Sequence, residues 1–179
     1  EVFGTSTLHN VTLAENHDEY GLRSVKDANE VAALTTTNSI VWNNGSTNVS
    51  TEGTFEAHNT VVQGNCVVTS GEVWTSDLDE APYYRNFVPK SGWQTESGHR
   101  VVDTGDNGSV TVEADANGKP RVVNDTVDLG AVELQTTFEG EIPSMIVTTL
   151  DDVVDPTDGN ISLREAIAYQ KYLSQEGYV

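Results

Sequence analysis

Basic residues are scarce in this chain of 179 residues: 9 Lys and Arg stand against 28 Asp and Glu, a formal charge of −19. Clustered cations are what hold a phosphate backbone, so no nucleic-acid partner is expected. Long apolar runs are missing too, and none approaches the roughly 20 residues that cross a bilayer as a helix, so no membrane insertion is expected. The first residues carry no charged-then-apolar leader signature, and a secreted protein is therefore expected here in processed form. The one cysteine, Cys66, excludes an internal disulfide and reads as a small buried hydrophobe rather than a reactive thiol. At this length a single domain with a substantial core is the default.

What is abundant points to strands. The chain holds 24 Val and 21 Thr, with 14 Asn and 15 Gly as turn formers. Three segments superpose on a repeated asparagine: Asn10 to Asn16, Asn38 to Asn44 and Asn59 to Asn65, with starts 28 and then 21 residues apart. Within them Val11 and Leu13, Ser39 and Val41, and Thr60 and Val62 share one face by the period of two, and the residues between them share the other. Recurrence every twenty-odd residues without a two-residue hairpin signal favours parallel coils stacked about 4.8 Å apart over an antiparallel sandwich. The repeated Asn then forms a ladder, because its amide bonds to neighbouring rungs and its backbone tolerates left-handed angles.

From Val67 to Trp93 the repeat loosens around Tyr83, Tyr84 and Phe87. A flap packed on the coils is one reading, and a sugar-stacking platform of Trp42, Tyr83, Tyr84 and Trp93 is the other. Gly98 to Leu134 alternates short Val-rich runs with Asp/Asn/Gly turns, among them Asp115 to Arg121. After a linker at 136–145 and a β-run at 146–150 comes an acidic loop and then an amphipathic helix. Ser162 and Glu165 form a capping box, Ile161 and Ala166 a staple, and Leu163, Ala166, Ile167, Tyr169 and Leu173 an apolar face.

Calcium is the one ligand the residues suggest. Asp158, Gly159, Ser162 and Glu165 match the second half of an EF-hand loop, and Asp151, Asp152 and Asp155 are at hand to supply the missing carboxylates. The candidate ligands are Asp151, Asp155, Asp158, Ser162 and Glu165, against a solvated acidic turn that leads into a helix cap. Asp103 with Asp106 is a second acidic turn. Arg121 is expected to pair with Asp128 or Glu133, and Arg164 with Asp151 or Asp155. No catalytic residues are assigned, since the histidines are scattered, no nucleophile elbow occurs, and the coil strands carry almost no Asp.

Two stretches resemble known families. ISLREAI at 161–167, after its Asp-rich loop, is similar to the opening motif of CSLREA-type domains of large bacterial surface proteins. VDTGDN at 102–107, DANGKPR at 115–121 and VDLGAVE at 127–133 resemble the closing signature of pectin-lyase-like domains of the choice-of-anchor type. Ile161 stands where the first family has Cys, and Val132 where the second commonly has an aromatic. The resemblance implies an all-β fold, a right-handed parallel β-helix with one C-terminal amphipathic capping helix. It also implies that residues 1–135 close one β-helix while 136–179 begin the next.

A stack of coils leaves an apolar end that must be covered. The helix is therefore expected to use Leu163, Ile167 and Leu173 against the first coil of another copy, near Val11 and Leu13. The expected function is a non-enzymatic structural module, extracellular or on a bacterial cell surface, whose partners are other copies of itself, head to tail. An adhesin or glycan-binding module is the alternative, with surface glycans as partners, and a polysaccharide lyase or hydrolase comes third.

Overall fold

The computed structural model describes all residues except 1–3, 18, 26–31, 65, 85, 136–144, 153–159 and 176–179, and the backbone but not the side chains of 171–175. Seven strands form: β1 (Thr5–His9), β2 (Thr12–Ala14), β3 (Tyr20–Ser24), β4 (Ala33–Trp42), β5 (Thr47–Thr51), β6 (Thr54–Gln63) and β7 (Ser70–Ser76). Asn10, between β1 and β2, has φ 52°, and Asn38 and Asn59, inside β4 and β6, have φ 51° and 44°. That left-handed region costs most L residues about 1–2 kcal/mol, and asparagine is one of the few that visit it readily.

Every strand pairing is parallel. β1 and β2 both lie along β4, β4 along β6 and β6 along β7, while β3 and β5 form a second sheet, and neither sheet closes into a barrel. His9 stands opposite Thr37 and Thr37 opposite His58, just as Thr12 faces Ile40 and Ile40 faces Val61. The three asparagines are thus side by side, and the antiparallel alternative is not what forms. Partners are 28 residues apart from β1 to β4, 21 from β4 to β6, and 14 at the start of β6 to β7, so each pass of chain is shorter than the last.

The left-handed asparagine resets the in-out alternation. Before it, Leu8, Leu34, Phe55 and Ala57 join one apolar cluster with Leu22, and after it Leu13 and Val73 return to that cluster. The intervening row turns the other way: Ile40, Val61 and Trp74, with Trp42, belong to a second cluster. Both faces are therefore apolar, and the outer one needs a cover. Residues 77–134 supply it as a strap, bringing Tyr83, Trp93, Val101 and Leu129 onto Ile40 and Trp42.

Three turns of one design stiffen the strap. In each, residue i donates its amide to the carbonyl of i+4, and the amide of i+3 returns to the carbonyl of i: Tyr84 with Val88 and Phe87, Thr95 with His99 and Gly98, Asp115 with Lys119 and Gly118. Phe87, Gly98 and Gly118 all have positive φ, the bulge residue that closes such a turn.

The strap is sewn to the asparagines. Asn59 Nδ2 donates to the Thr104 carbonyl at 2.8 Å, and Asn38 Nδ2 to that of Asp106 at 2.9 Å. The Asp106 amide donates back to Asn38 Oδ1 at 2.8 Å. Glycine is needed where the strap presses closest: a Cβ on Gly105 would meet Val127 at 2.6 Å, and Gly130 has φ 92° with Thr12 beside it. We expect Asn38→Ala to lose about 2–4 kcal/mol, since it forces a left-handed alanine and orphans both Asp106 groups. Asn38→Gly should lose less, because only the bridge is removed, and urea unfolding of both variants separates the two costs.

Candidate functional site

The two signature stretches of the strap meet in a knot of buried charge. Arg121 is 1 % exposed, and Asp128 and Glu133 are as deeply buried. Arg121 Nη2 donates to the carbonyls of Asp128 at 2.9 Å and Gly130 at 2.7 Å, and its Nη1 lies 3.8 Å from Glu133 Oε2. Its charged partner is thus Glu133, while Asp128 meets it through the backbone. Each carboxylate also gathers backbone amides. Asp115 accepts from Asn117, Lys119 and Glu133, Asp128 from Asp103 and Leu134, and Glu133 from Val123 and Asp128.

Charge balance inside the knot is unfavourable, because one guanidinium faces three acids away from water. Burial pushes the Asp128 carboxyl up to about 7 and that of Glu133 up to about 8, against the opposing pull of the amides and Arg121. Burial likewise draws the Arg121 guanidinium below its ordinary range. Acids raised by folding stabilise most when protonated, so this contribution is full below about pH 4 and fades as pH rises towards 8. With both oxygens of Asp128 and of Glu133 taken by main-chain amides, these groups hold the strap closed rather than face a substrate.

The C-terminal segment is built around its own cap. The Ser162 amide donates to Glu165 Oε2 at 2.8 Å, and the Glu165 amide to Ser162 Oγ at 3.2 Å, which is the expected capping box at the start of α1 (Leu163–Gln175). Thr148 and Ile161 bond reciprocally, through Thr148 N to the Ile161 carbonyl and Ile161 N to Thr148 Oγ1. Arg164 grips Asp152 with both arms, at 2.9 and 2.6 Å; of its expected partners Asp151 is passed over and Asp155 lies outside the described residues. That exposed pair holds Asp152 below the usual carboxylate range.

The helix divides its apolar residues. Ile161 and Ala166 are buried, but Leu163 and Ile167 remain 64 % and 61 % exposed. With Val147 and Leu150 they line an open groove of about 660 Å³, bordered by Asp151, Asp152 and Arg164. Leu173 contributes a position on the helix, and its side chain lies outside the described residues. Val147 and Leu150 were not among the expected interface residues, although both lie in the expected β-run at 146–150. Val11 and Leu13 are half-buried on the outermost row of the main sheet.

The remaining candidates fall elsewhere. Of the calcium set, Asp155 and Asp158 lie outside the described residues, Ser162 and Glu165 serve each other as the cap, and Asp151 is exposed. Among the described residues no group of three His, Cys, Asp or Glu side chains is arranged to hold a metal. In the second acidic turn, Asp106 accepts from Gly108 N and Ser109 Oγ, which keeps it below its ordinary range.

The aromatic platform requires a correction in place. Trp42, Tyr83 and Trp93 are interior, Trp42 and Trp93 meeting edge to face at 5.3 Å, and Trp93 Nε1 donates to the Glu80 carbonyl. Their rings cover the outer face of the sheet, which leaves only Tyr84 half-exposed, beneath Lys90. Cys66 is half-buried against the inner cluster, and burial raises its thiol to about 11, well away from a reactive thiolate.

Comparison with family models, with curated proteins and with solved structures returns no match for this chain. The knot itself generates a test. Arg121→Met leaves its acids without a cation and should cost about 3–5 kcal/mol at pH 8. Because those acids take up protons on acidification, the cost should shrink at pH 5.5, as read from urea unfolding at both pH values.

Proposed function

We propose that this chain is a non-enzymatic, extracellular structural module, a right-handed parallel β-helix that joins head to tail with other copies. The observation that carries the reading is the open groove of Val147, Leu150, Leu163 and Ile167. Apolar side chains of this size each gain about 1.5–3 kcal/mol when fully buried, so a contiguous patch of four marks a contact surface. The complementary surface is the outermost row, where Val11 and Leu13 are only half-covered.

The molecule's ends support a directed array. Successive passes shorten from β1 towards β7, so one end is wide and the other tapers. A groove at one place and a wide end at another make a heterologous contact, which extends into filaments when its rotation does not close. The net charge of −19 opposes such stacking, and screening of that repulsion favours it. The glycan-binding alternative loses support because three of its four aromatics are interior.

Light scattering and negative-stain microscopy test the reading directly. Concentrated protein in about 0.5 M salt, where the Debye length is only several ångström, should form linear chains. The double variant Leu163→Asp, Ile167→Asp should stay monomeric with unchanged strand content. Compact monomers of the unaltered protein at every concentration would overturn the proposal.

A further inference from the structure

The head-to-tail contact has a backbone half as well as an apolar one. Ala33 N donates to the Gly4 carbonyl, and Asn10 N to that of Thr37, so the even-numbered residues of this pass turn towards β4. Thr5, Thr7 and His9 consequently aim their amides and carbonyls the other way. No strand lies on that side among the described residues. Natural sheets protect such an edge with charge, proline or a covering element. β1, reading TSTLH, carries no acid, lysine, arginine or proline, whereas β7 at the opposite edge carries the exposed Glu72. The β1 edge has the character of one that is normally paired.

The same chain displays a β-prone run that lies outside both sheets in irregular backbone. Residues 145–150 read MIVTTL, rich in β-branched side chains, with Met145, Ile146, Val147 and Leu150 all exposed and no place in either sheet. An uncharged, proline-free run of this kind is the chemistry of strand addition. It is also continuous with the groove, because Val147 and Leu150 line it beside Leu163 and Ile167.

We infer that residues 145–150 of one copy add as a parallel strand to the β1 edge of the next copy, with helix α1 covering the apolar end beside it. This rests on the head-to-tail reading above and names the partner segment on both sides. Main-chain bonds to Thr5, Thr7 and His9 fix the register, and the helix supplies the apolar cover. The occupant is a second copy of this chain.

Two measurements decide it. Thr7→Pro removes an outward amide that no neighbour among the described residues uses, so the monomer's melting temperature should hold while assembly weakens at least tenfold. Separately, in a Cys66→Ala background, Thr7→Cys combined with Ile146→Cys or Val147→Cys should give a disulfide between chains, seen as a dimer on a non-reducing gel. A bond that forms only within one chain, or none with either pair, overturns the inference. If the unaltered protein assembles and Leu163→Asp, Ile167→Asp prevents it while Thr7→Pro does not, the groove stands and strand addition falls. If the unaltered protein never assembles, both fall together.

Discussion

Asn38 donates a hydrogen bond to the Asp106 carbonyl and accepts one from the Asp106 amide, and this two-way bond joins the two halves of the molecule. It exists only because the backbone at Asn38 is left-handed, which turns the side-chain amide out of the sheet and towards the strap. The same geometry at Asn59 reaches Thr104, so neighbouring strands hold neighbouring points on one strap. Asn10 has the same φ but a buried Nδ2 without a partner among the described residues, and it sits beside the outermost edge. The angle is thus a precondition of the bridge and not its result. A residue that cannot adopt the angle cannot make the bridge, and the alternation of inner and outer side chains depends on the same kink.

Close contact between strap and sheet explains why two short glycine-containing stretches belong together. Gly105 and Gly130 bring backbone against Val127, Thr12 and Ile40 with no room for a side chain. Asp115, Asp128 and Glu133 then tie the strap's turns to one another through amides, and Arg121 joins them through two carbonyls. The acids that give the chain its low isoelectric point are thus of two kinds. Many are solvated, but these are structural acceptors that happen to be ionisable.

What could be read from the sequence was whatever is local. The asparagine spacing and the period of two suffice for parallel stacking, because each signal is carried by residues within one strand. Ser162 and Glu165 announced their cap for the same reason, being three residues apart on one turn. A flap at 67–93 over the coils was legible as one of two readings, but its completion by Val101 and Leu129 was not, since they lie far along the chain from Ile40 and Trp42. This is also why Trp42 and Trp93 resembled a surface platform. Of the strap's three equal turns only the one at Asp115 was legible, from its Asp/Asn/Gly chemistry; Tyr84 to Phe87 and Thr95 to Gly98 share its backbone geometry but not its composition. Arg164 took Asp152 rather than the adjacent Asp151 because local geometry, not charge density, selects which of two neighbouring acids faces it.

Sequence separation orders the birth of this fold. Pairings within the main sheet close loops of 13 to 28 residues, whereas the Asn38–Asp106 bridge spans 68 and the bond from Ala131 to Thr12 spans 119. Loop-closure entropy delays the long connections, and synthesis from the N-terminus delays them further. A growing chain therefore carries a laid-down sheet whose Ile40, Trp42 and Val61 are not fully covered until about fifty residues beyond β7 have left the ribosome, roughly 3–11 s at ordinary elongation rates. Over that interval the nascent protein is at its stickiest, and a chaperone that shields tryptophan-bearing strands has its work there.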